Sequence, residues 1–496
     1  MQKLRSIISG KYFWLLSIIV FSISRVATWF FPFDSDHWIF YYVGRRWVQG
    51  ATIYVDMWDH KGPLIYGFNG LLYLLVGGNL VLQRIIFTII ALIGLWLFYK
   101  TAKLLFNYMH IKDPLFTARA TTLLFAFYVN LSQFTNSGNN CENLGYVFLL
   151  GTLYCYLRYR KHPLNQQIWL LISGILAGTV FILKENFAFL LLPIFIDLIL
   201  INRKNIHRLI GAIAIFAFGT LAQLLIWFIY FVHVGTFKQF YIATFAFNDK
   251  YISALGWDVH EPGIAVFLGI LVLLLAFFAP FLIKAWQGFW HPDKELGIFI
   301  PMIAVSAIIF MISAGTFFSN YFQVAIPYLC LVAGATAALV FRRHKNLKLT
   351  ILIVIAAIMF LISLKQLYNT FYGSDAANAR DMTAAALYIK DHTTPNQTFF
   401  ANVYGATFYR LADRNSGTRF ISASHPLLDY EYNFGYNFNN EFIMDMEQSQ
   451  AKYVVESSNP NDLYRTQNPV IMRYINLDYR LQTTIDGYDI LVRVQQ

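Results

Sequence analysis

Cysteine is almost missing from this chain: three in 496 residues, Cys141, Cys155 and Cys330. Three scattered thiols provide neither a disulfide framework nor a thiolate metal site. Cys155 and Cys330 also fall inside apolar runs, where packing accounts for them. Charge is scarce too. Asp, Glu, Lys and Arg make up 13% of the chain, against about 25% in soluble globular domains, and that class is excluded. Internal repeats and low-complexity segments are absent. His37, His60, His233 and His260 show no HxxxH or comparable spacing, so no metal and no other cofactor is expected.

What fills the chain is apolar: 57% hydrophobic and 18% aromatic residues. Runs of about 17–25 apolar residues recur and predict a polytopic α-helical membrane protein. Spans are expected near 12–31, 80–99, 115–130, 143–158, 166–183, 187–201, 208–233, 263–283, 297–314, 321–340 and 349–365. The first run follows Lys3, Arg5 and Lys11; it is too long for a signal-peptide core and lacks a small-x-small site, so it reads as a retained anchor. Pro63–Val76 is apolar but short, and is expected to lie at or dip into the membrane interface.

The net charge of +11 is unevenly spread. Residues 1–365 hold 28 Lys and Arg against 13 Asp and Glu, whereas residues 366–496 hold 10 against 14. Basic clusters fall in alternate loops, as the positive-inside rule predicts, so the excess reports orientation and not a nucleic-acid partner. Eleven crossings with the N-terminus inside satisfy every loop and put the tail outside. The tail, from residue 372, changes character. Helical spacing in ARDMTAAALYIKDH, then TFFANVY, ATFYRLADR, TRFISA, NNEFIMDMEQSQ, AKYVVESS, YRLQTTI and YDILVRV alternates helices with strands. A small α/β domain over 372–496 is expected, following a membrane domain over 1–371.

That topology sorts the charges. Nine of the 13 acidic residues of the membrane half fall outside: Asp34, Asp36, Asp56, Asp59, Glu142, Glu185, Asp249, Asp258 and Glu261. Several cations there escape the positive-inside rule: Arg45, Arg46 and Lys61 in the first outer loop (32–79), and Lys184 in a tight turn. Arg25 and Arg84 lie within the outer halves of the first two spans. Ionisable groups at membrane depth are costly and face a cavity or a partner. Carboxylates beside cations at one membrane face suit a reaction that takes a proton from a hydroxyl while a phosphate departs.

The elements Asp34 or Asp36, Gly50, Tyr54-Val55-Asp56 and Lys61-Gly62-Pro63 resemble the first outer loop of GT-C glycosyltransferases. The pattern is similar to bacterial enzymes related to the aminoarabinose transferase of lipid A and to protein O-mannosyltransferases. Asn320-Tyr321-Phe322-Gln323, running to Pro327, resembles a weaker feature of the family, and the tail looks like their extracytoplasmic domain. Two departures stand out: Asp36-His37 where the family often has Asp-Glu, and Lys61-Gly62-Pro63 where relatives have Lys-Pro-Pro. The resemblance implies a multi-pass enzyme of the bacterial inner membrane, N-terminus cytoplasmic and tail periplasmic. It would move a sugar from a polyprenyl-phosphate donor to a hydroxyl of a glycan, lipid or protein acceptor. A divalent metal serves some relatives of the broad superfamily; the spacing here does not call for one.

Each candidate has a plain structural reading beside the functional one. Asp36 is placed first as general base and Asp34 second, yet either aspartate would serve as a helix N-cap before HWIFYYVGRRW. Asp56 and Asp59 read as substrate contacts or as loop-ordering turn residues, and Tyr54 and Tyr321 as sugar- or phosphate-side aromatics. Lys61 faces phosphate in the family, or anchors the interface. Glu142 is a second acidic residue near the site, or a helix-start carboxylate favoured by the macrodipole. Lys184 binds phosphate or pairs with Glu185. Arg25 is expected at the phosphate, and Arg84 is expected to be structural. Two other classes fit less well. A lipid-linked saccharide flippase would show repeats and broken spans. An O-antigen-type polymerase or ligase would carry a large loop between late spans.

Overall fold

The computed structural model describes residues 10–30, 34–111, 113–163, 166–249, 296–313, 319–340, 374–421, 438–459 and 469–494, with short helical pieces between 361 and 372. Among the described residues five helices are long and apolar enough to cross a membrane: Phe13–Phe30, Leu80–Tyr108, Glu185–Asn202, Ile206–His233 and Tyr321–Ala338. Pro63–Val76, Gln167–Leu183 and Phe299–Ser313 are shorter apolar helices. The spans expected at 263–283 and 349–365 lie outside the described residues.

In chain order the helices are α1 (Phe13–Phe30), α2 (Ser35–Val48), α3 (Pro63–Val76), α4 (Leu80–Tyr108), α5 (Pro114–Tyr128) and the single turn α6 (Ser132–Thr135). They continue as α7 (Cys141–Lys161), α8 (Gln167–Leu183), a 3₁₀ stretch (Glu185–Leu191) leading into α9 (Leu192–Asn202), α10 (Ile206–His233) and α11 (Phe237–Tyr241). Then come α12 (Leu296–Ser313) and α13 (Tyr321–Val340). The starts follow local chemistry. Asp34, Asn79 and Asn140 cap α2, α4 and α7 by accepting from the third residue along, and proline opens α3 and α5, where its missing N–H costs nothing. The 14 residues of α3 extend about 21 Å, short of a hydrocarbon core about 30 Å thick.

The chain divides into two compact units. The first comprises Met1–Phe31, Asn79–His233 and Asn248–Tyr368; the second comprises Pro32–Gly78, Val234–Phe247 and Asn369–Gln496. In the first unit, helices approach closely where glycine leaves room. A Cβ on Gly174 would lie 2.3 Å from the Phe216 carbonyl oxygen, and one on Gly219 2.5 Å from that of Leu171, so α8 and α10 touch backbone to backbone. Asp197 on α9 is fully buried. It accepts from Arg160 Nε at 2.6 Å and Nη2 at 3.2 Å, and from the Tyr156 hydroxyl at 2.6 Å, fastening α7 to α9.

In the second unit, α2 packs on α3 through Gly44, whose added Cβ would lie 2.5 Å from the Gly70 nitrogen. The tail adds α14 (Ser374–Asp391), β1 (Phe399–Ala401), α15 (Gly405–Ala412), α16 (Phe438–Ser449), β2 (Tyr453–Ser457), α17 (Pro469–Asp478), β3 (Tyr479–Ile485) and β4 (Tyr488–Arg493). The sheet order is β1-β2-β4-β3, with β1 and β2 parallel and the other pairs antiparallel. Asp486 and Gly487, both at positive φ, close the β3–β4 hairpin, as such turns demand.

Two tail elements differ from the sequence reading. Of TRFISA, the described residues Thr418–Ile421 do not enter the sheet: Phe420 instead pairs with Trp58 of the first loop in an isolated bridge. The segment PVIMRYINLD, passed over in sequence, forms α17. The same unit ties α2 to the tail elsewhere: Tyr42 Oη accepts from Ser416 N at 2.9 Å, and Arg45 lies 3.5 Å from the Asp413 carboxylate. Burial raises the Tyr42 phenol above its ordinary pKa, opposed by that Ser416 N–H.

Candidate active-site residues

In the second unit the candidates lie at the start of α2 and in the segment that joins α2 to α3. Asp34 is committed to capping: its carboxylate accepts from His37 N at 3.2 Å. Asp36 follows in the first turn of α2, half-buried. His37, fully buried, lies parallel to the Tyr41 ring at 6.3 Å.

The turn after α2 is tied by Asp56, whose Oδ2 accepts from Thr52 N at 2.7 Å. Tyr54 sits there in the left-handed region at φ 66°, a strained conformation for a bulky residue. What holds it is evident: its N–H donates to Met57 O at 2.8 Å, and its hydroxyl donates to the Lys61 carbonyl at 2.7 Å. The strain places a phenol under the backbone of Lys61.

Asp59, His60 and Lys61 form one knot with Tyr66 on α3. The Tyr66 hydroxyl donates to Asp59 Oδ2 at 2.7 Å and accepts from Lys61 N at 3.2 Å. His60 Nδ1 lies 3.5 Å from Asp59 Oδ1, while His60 Nε2 meets the Lys61 ammonium. An ammonium only donates, so this contact makes Nε2 the acceptor and puts the ring proton on Nδ1, facing Asp59. Asp59, His60, Tyr54 and Tyr66 are buried, and Lys61 is half-buried. The histidine ring thus lies between the carboxylate, 3.5 Å from its Nδ1, and the lysine that its Nε2 contacts.

In the first unit a second group forms where α7 begins. Glu142 and Lys184 are both buried, with Lys184 Nζ 2.8 Å from Glu142 Oε1. The ammonium also lies 3.5 Å from the centre of the Tyr321 ring. Burial alone would depress the lysine; Glu142, then Tyr321 and Cys141, overcome it and hold its pKa above the ordinary value. Lys184 thus pairs with Glu142, and not with Glu185, which accepts from Asn248 Nδ2 at 2.9 Å.

A chain of buried amides lies beside this pair. Asn140 Oδ1 accepts from Asn143 Nδ2 at 2.6 Å, and Asn143 Oδ1 accepts from Gln323 Nε2 at 2.8 Å. Arg25 is buried as well, donating to Asn130 Oδ1 at 2.9 Å and to Thr88 Oγ1 at 3.1 Å. Arg84 donates to the Thr28 carbonyl.

The structure thus brings together Tyr54, Asp59 and Lys61 in one unit, and Glu142, Lys184 and Tyr321 in the other. Asp34 and Asp56 each accept a local hydrogen bond, whereas Arg25 and Arg84 tie α1 and α4 together. Tyr66, Asn140 and Asn143 escaped the sequence reading, which named Gln323 only within the Asn320–Gln323 feature. The run NSGNNCEN carried a signal for the two asparagines, being too polar for a loop that is largely buried. No cluster of three metal-ligating side chains occurs among the described residues.

A protein-family model for dolichyl-phosphate-mannose-protein mannosyltransferases matches residues 60–231. No curated protein sequence matches the chain. Among solved structures, ArnT from Cupriavidus metallidurans bound to undecaprenyl phosphate is similar with a TM-score of 0.62 at 12% identity, over 97% of this chain and 98% of that one. The oligosaccharyltransferase of Archaeoglobus fulgidus is similar with a TM-score of 0.53 at 13% identity, over 90% of this chain and 69% of that one. A further structure of that archaeal enzyme, AglB, in complex with an inhibitory peptide and a dolichol-phosphate, has a TM-score of 0.51 at 13% identity, over 97% and 74%. The shared fold is one of membrane helices with a small strand-containing C-terminal region.

Proposed function

We propose that the chain is a membrane glycosyltransferase of the GT-C type, a reading supported by its fold and by the family match over residues 60–231, and that it transfers a sugar from a polyprenyl-phosphate donor to an acceptor hydroxyl. The transfer occurs on the periplasmic face of a bacterial inner membrane and inverts the anomeric centre. Similar structures hold undecaprenyl phosphate and dolichol-phosphate, which supports the lipid-phosphate class of donor.

The observation that carries this reading is the Asp59–His60–Lys61–Tyr66 knot. It sets a half-buried ammonium against the His60 ring, with the Asp59 carboxylate held by the Tyr66 hydroxyl on the ring's other side. An oriented cation of that kind stabilises charge that develops on a departing phosphate. Asp36 takes the acceptor proton. Asp34 caps α2, and Asp36, in the first turn of that helix, is the carboxylate assigned as general base. Tyr54 supports Lys61 from below through its carbonyl. In the other unit Lys184, Glu142 and Tyr321 shape the second polar loop, and Arg25 joins that loop to α1 and α4. No metal is assigned a role.

The test is an assay in membranes with a synthetic polyprenyl-phosphate sugar, following release of polyprenyl phosphate, with a lipid profile of the host with and without the gene. Release by the wild-type chain and accumulation of a glycosyl polyprenyl phosphate in the deleted host are expected. An unchanged lipid profile together with no release would remove the donor class.

A further inference from the structure

Arg419 lies in the tail, more than three hundred residues from Trp58, and no sequence argument singles it out. Its carbonyl accepts from Trp58 N at 2.7 Å, and Phe420 pairs with Trp58 in the isolated bridge. Trp58 immediately precedes Asp59, His60 and Lys61. Its backbone is therefore the point at which the tail grips the segment that aims the lysine.

The grip is itself fastened. Arg419 N and Nε both donate to Asp445 Oδ2 at 2.9 Å, and Nη2 donates to Asp445 Oδ1 at 2.8 Å. Nη1 lies 2.8 Å from Glu441 Oε2. Both carboxylates belong to α16. A guanidinium held in two directions by two carboxylates fixes orientation as well as distance, so the Arg419 carbonyl is referenced to a helix. The Trp58 ring is enclosed by Phe247 at 4.7 Å, Phe438 at 5.2 Å and Phe420 at 6.1 Å. Phe247 also lies against the His60 ring at 5.3 Å and 30°. All four aromatic side chains are buried.

We propose that Arg419 is a positioning residue for Lys61. It acts through the Trp58 backbone, so that the tail, docked by α16, sets the geometry with which Lys61 meets the phosphate of the lipid carrier. The inference rests on the reading of Lys61 as a phosphate-binding cation. Arg419 touches no substrate in this scheme. Its effect passes along one path: α16 carboxylates, Arg419, Trp58, His60, Lys61.

The experiment uses the full chain in detergent, with undecaprenyl phosphate as probe, and variants Arg419→Met, Lys61→Met, the two combined, and Asp445→Asn. Arg419→Met is expected to weaken probe binding by about tenfold, equivalent to about 1.4 kcal/mol, and to add nothing further in the Lys61→Met background. Hydrogen exchange is expected to accelerate at the Trp58 to Lys61 amides and to stay unchanged in α8. Asp445→Asn, which removes less, is expected to shift both readouts the same way by a smaller factor; it stands in if Arg419→Met does not fold. Unchanged binding, an equal loss in the Lys61→Met background, or unchanged exchange at Trp58 overturns the proposal. If the wild-type chain does not bind the probe, the functional reading of Lys61 falls, and the exchange data alone decide whether Arg419 positions the loop.

Discussion

The Lys184 ammonium lies 2.8 Å from Glu142 Oε1 and 3.5 Å above the centre of the Tyr321 ring, with side-chain exposures of 10% for the lysine and 3% for the glutamate. Water contributes little to solvating either charge, so each depends on the other. Removing one partner leaves a buried charge uncompensated, which costs about 3–5 kcal/mol, whereas removing both costs much less. Glu142→Gln and Lys184→Met are therefore each expected to lower the thermal midpoint in detergent sharply. The double variant should recover most of the loss. Additive losses in that cycle would show that the pair is not the unit of stability.

Asp34 and Asp36 are two residues apart, and the capping bond from His37 N to Asp34 separates their roles. Serine caps helices as well as aspartate does, while alanine costs about 1 kcal/mol. Asp34→Ser is expected to keep both fold and transfer, and Asp34→Ala to lose a little stability. Asp36→Asn, nearly isosteric, is expected to fold normally and to lower kcat by about 10²- to 10⁴-fold, the span of a missing general base. Sugar-transfer kinetics on the three variants decide it; full activity in Asp36→Asn would remove Asp36 from the chemistry.

Tyr66 donates to Asp59 while receiving the Lys61 N–H. Tyr66→Phe takes a hydrogen bond from a buried carboxylate, a loss of about 1.5–3 kcal/mol. Asp59 then loses the hydrogen bond that holds it beside His60, the Lys61 N–H loses its acceptor, and Lys61 is less well aimed. The expected signature is a larger rise in KM for the lipid donor than fall in kcat. Tyr54→Phe, which frees the Lys61 carbonyl, should act in the same direction. A fall in kcat alone in Tyr66→Phe would point to a direct chemical role for the phenol.

How far the sequence discloses this follows from what each feature depends on. Spans such as Phe13–Phe30 and Ile206–His233 were legible because length and apolarity alone define them. The fold class was legible with them, and so were most tail elements, with their own periodicities. TRFISA carries strand character, but its partner is one residue of a distant loop, Trp58, which no local pattern encodes. Asp34, Asp36, Asp59 and Lys61 could be picked as charges in an apolar chain. Tyr66 could not, since PLIYGFNGLLYLLV reads as an apolar helix with its aromatics at home. The Lys184–Glu142 pair spans 42 residues and the Gln323–Asn143 bond 180. Glu185 was the nearer guess for Lys184 only because it is the sequence neighbour.

The crossing of α8 and α10 gives a prediction of a different kind. Gly174 and Gly178 are four apart on α8, and a Cβ at either would meet the carbonyl of Phe216 or Thr220 at 2.3 and 2.6 Å. Small residues at that spacing let helix backbones meet where lipid offers no hydrophobic drive, and the Thr220 hydroxyl uses the proximity to donate to the Gly174 carbonyl at 3.1 Å. Alanine raises helix propensity by up to about 1 kcal/mol, but overpacking against backbone costs about 1–3 kcal/mol. The steric term wins, because backbone cannot rotate away as a side chain does. Gly174→Ala and Gly219→Ala are therefore expected to lower the thermal midpoint. Gly211→Ala, on the same α10 with nothing within 4 Å of the added methyl, should leave it unchanged or raise it. The contrast between Gly211 and Gly219 is the decisive measurement, since both changes are alike in chemistry and helix. Equal midpoints for the two would mean that the close approach of α8 and α10 does not hold this unit together.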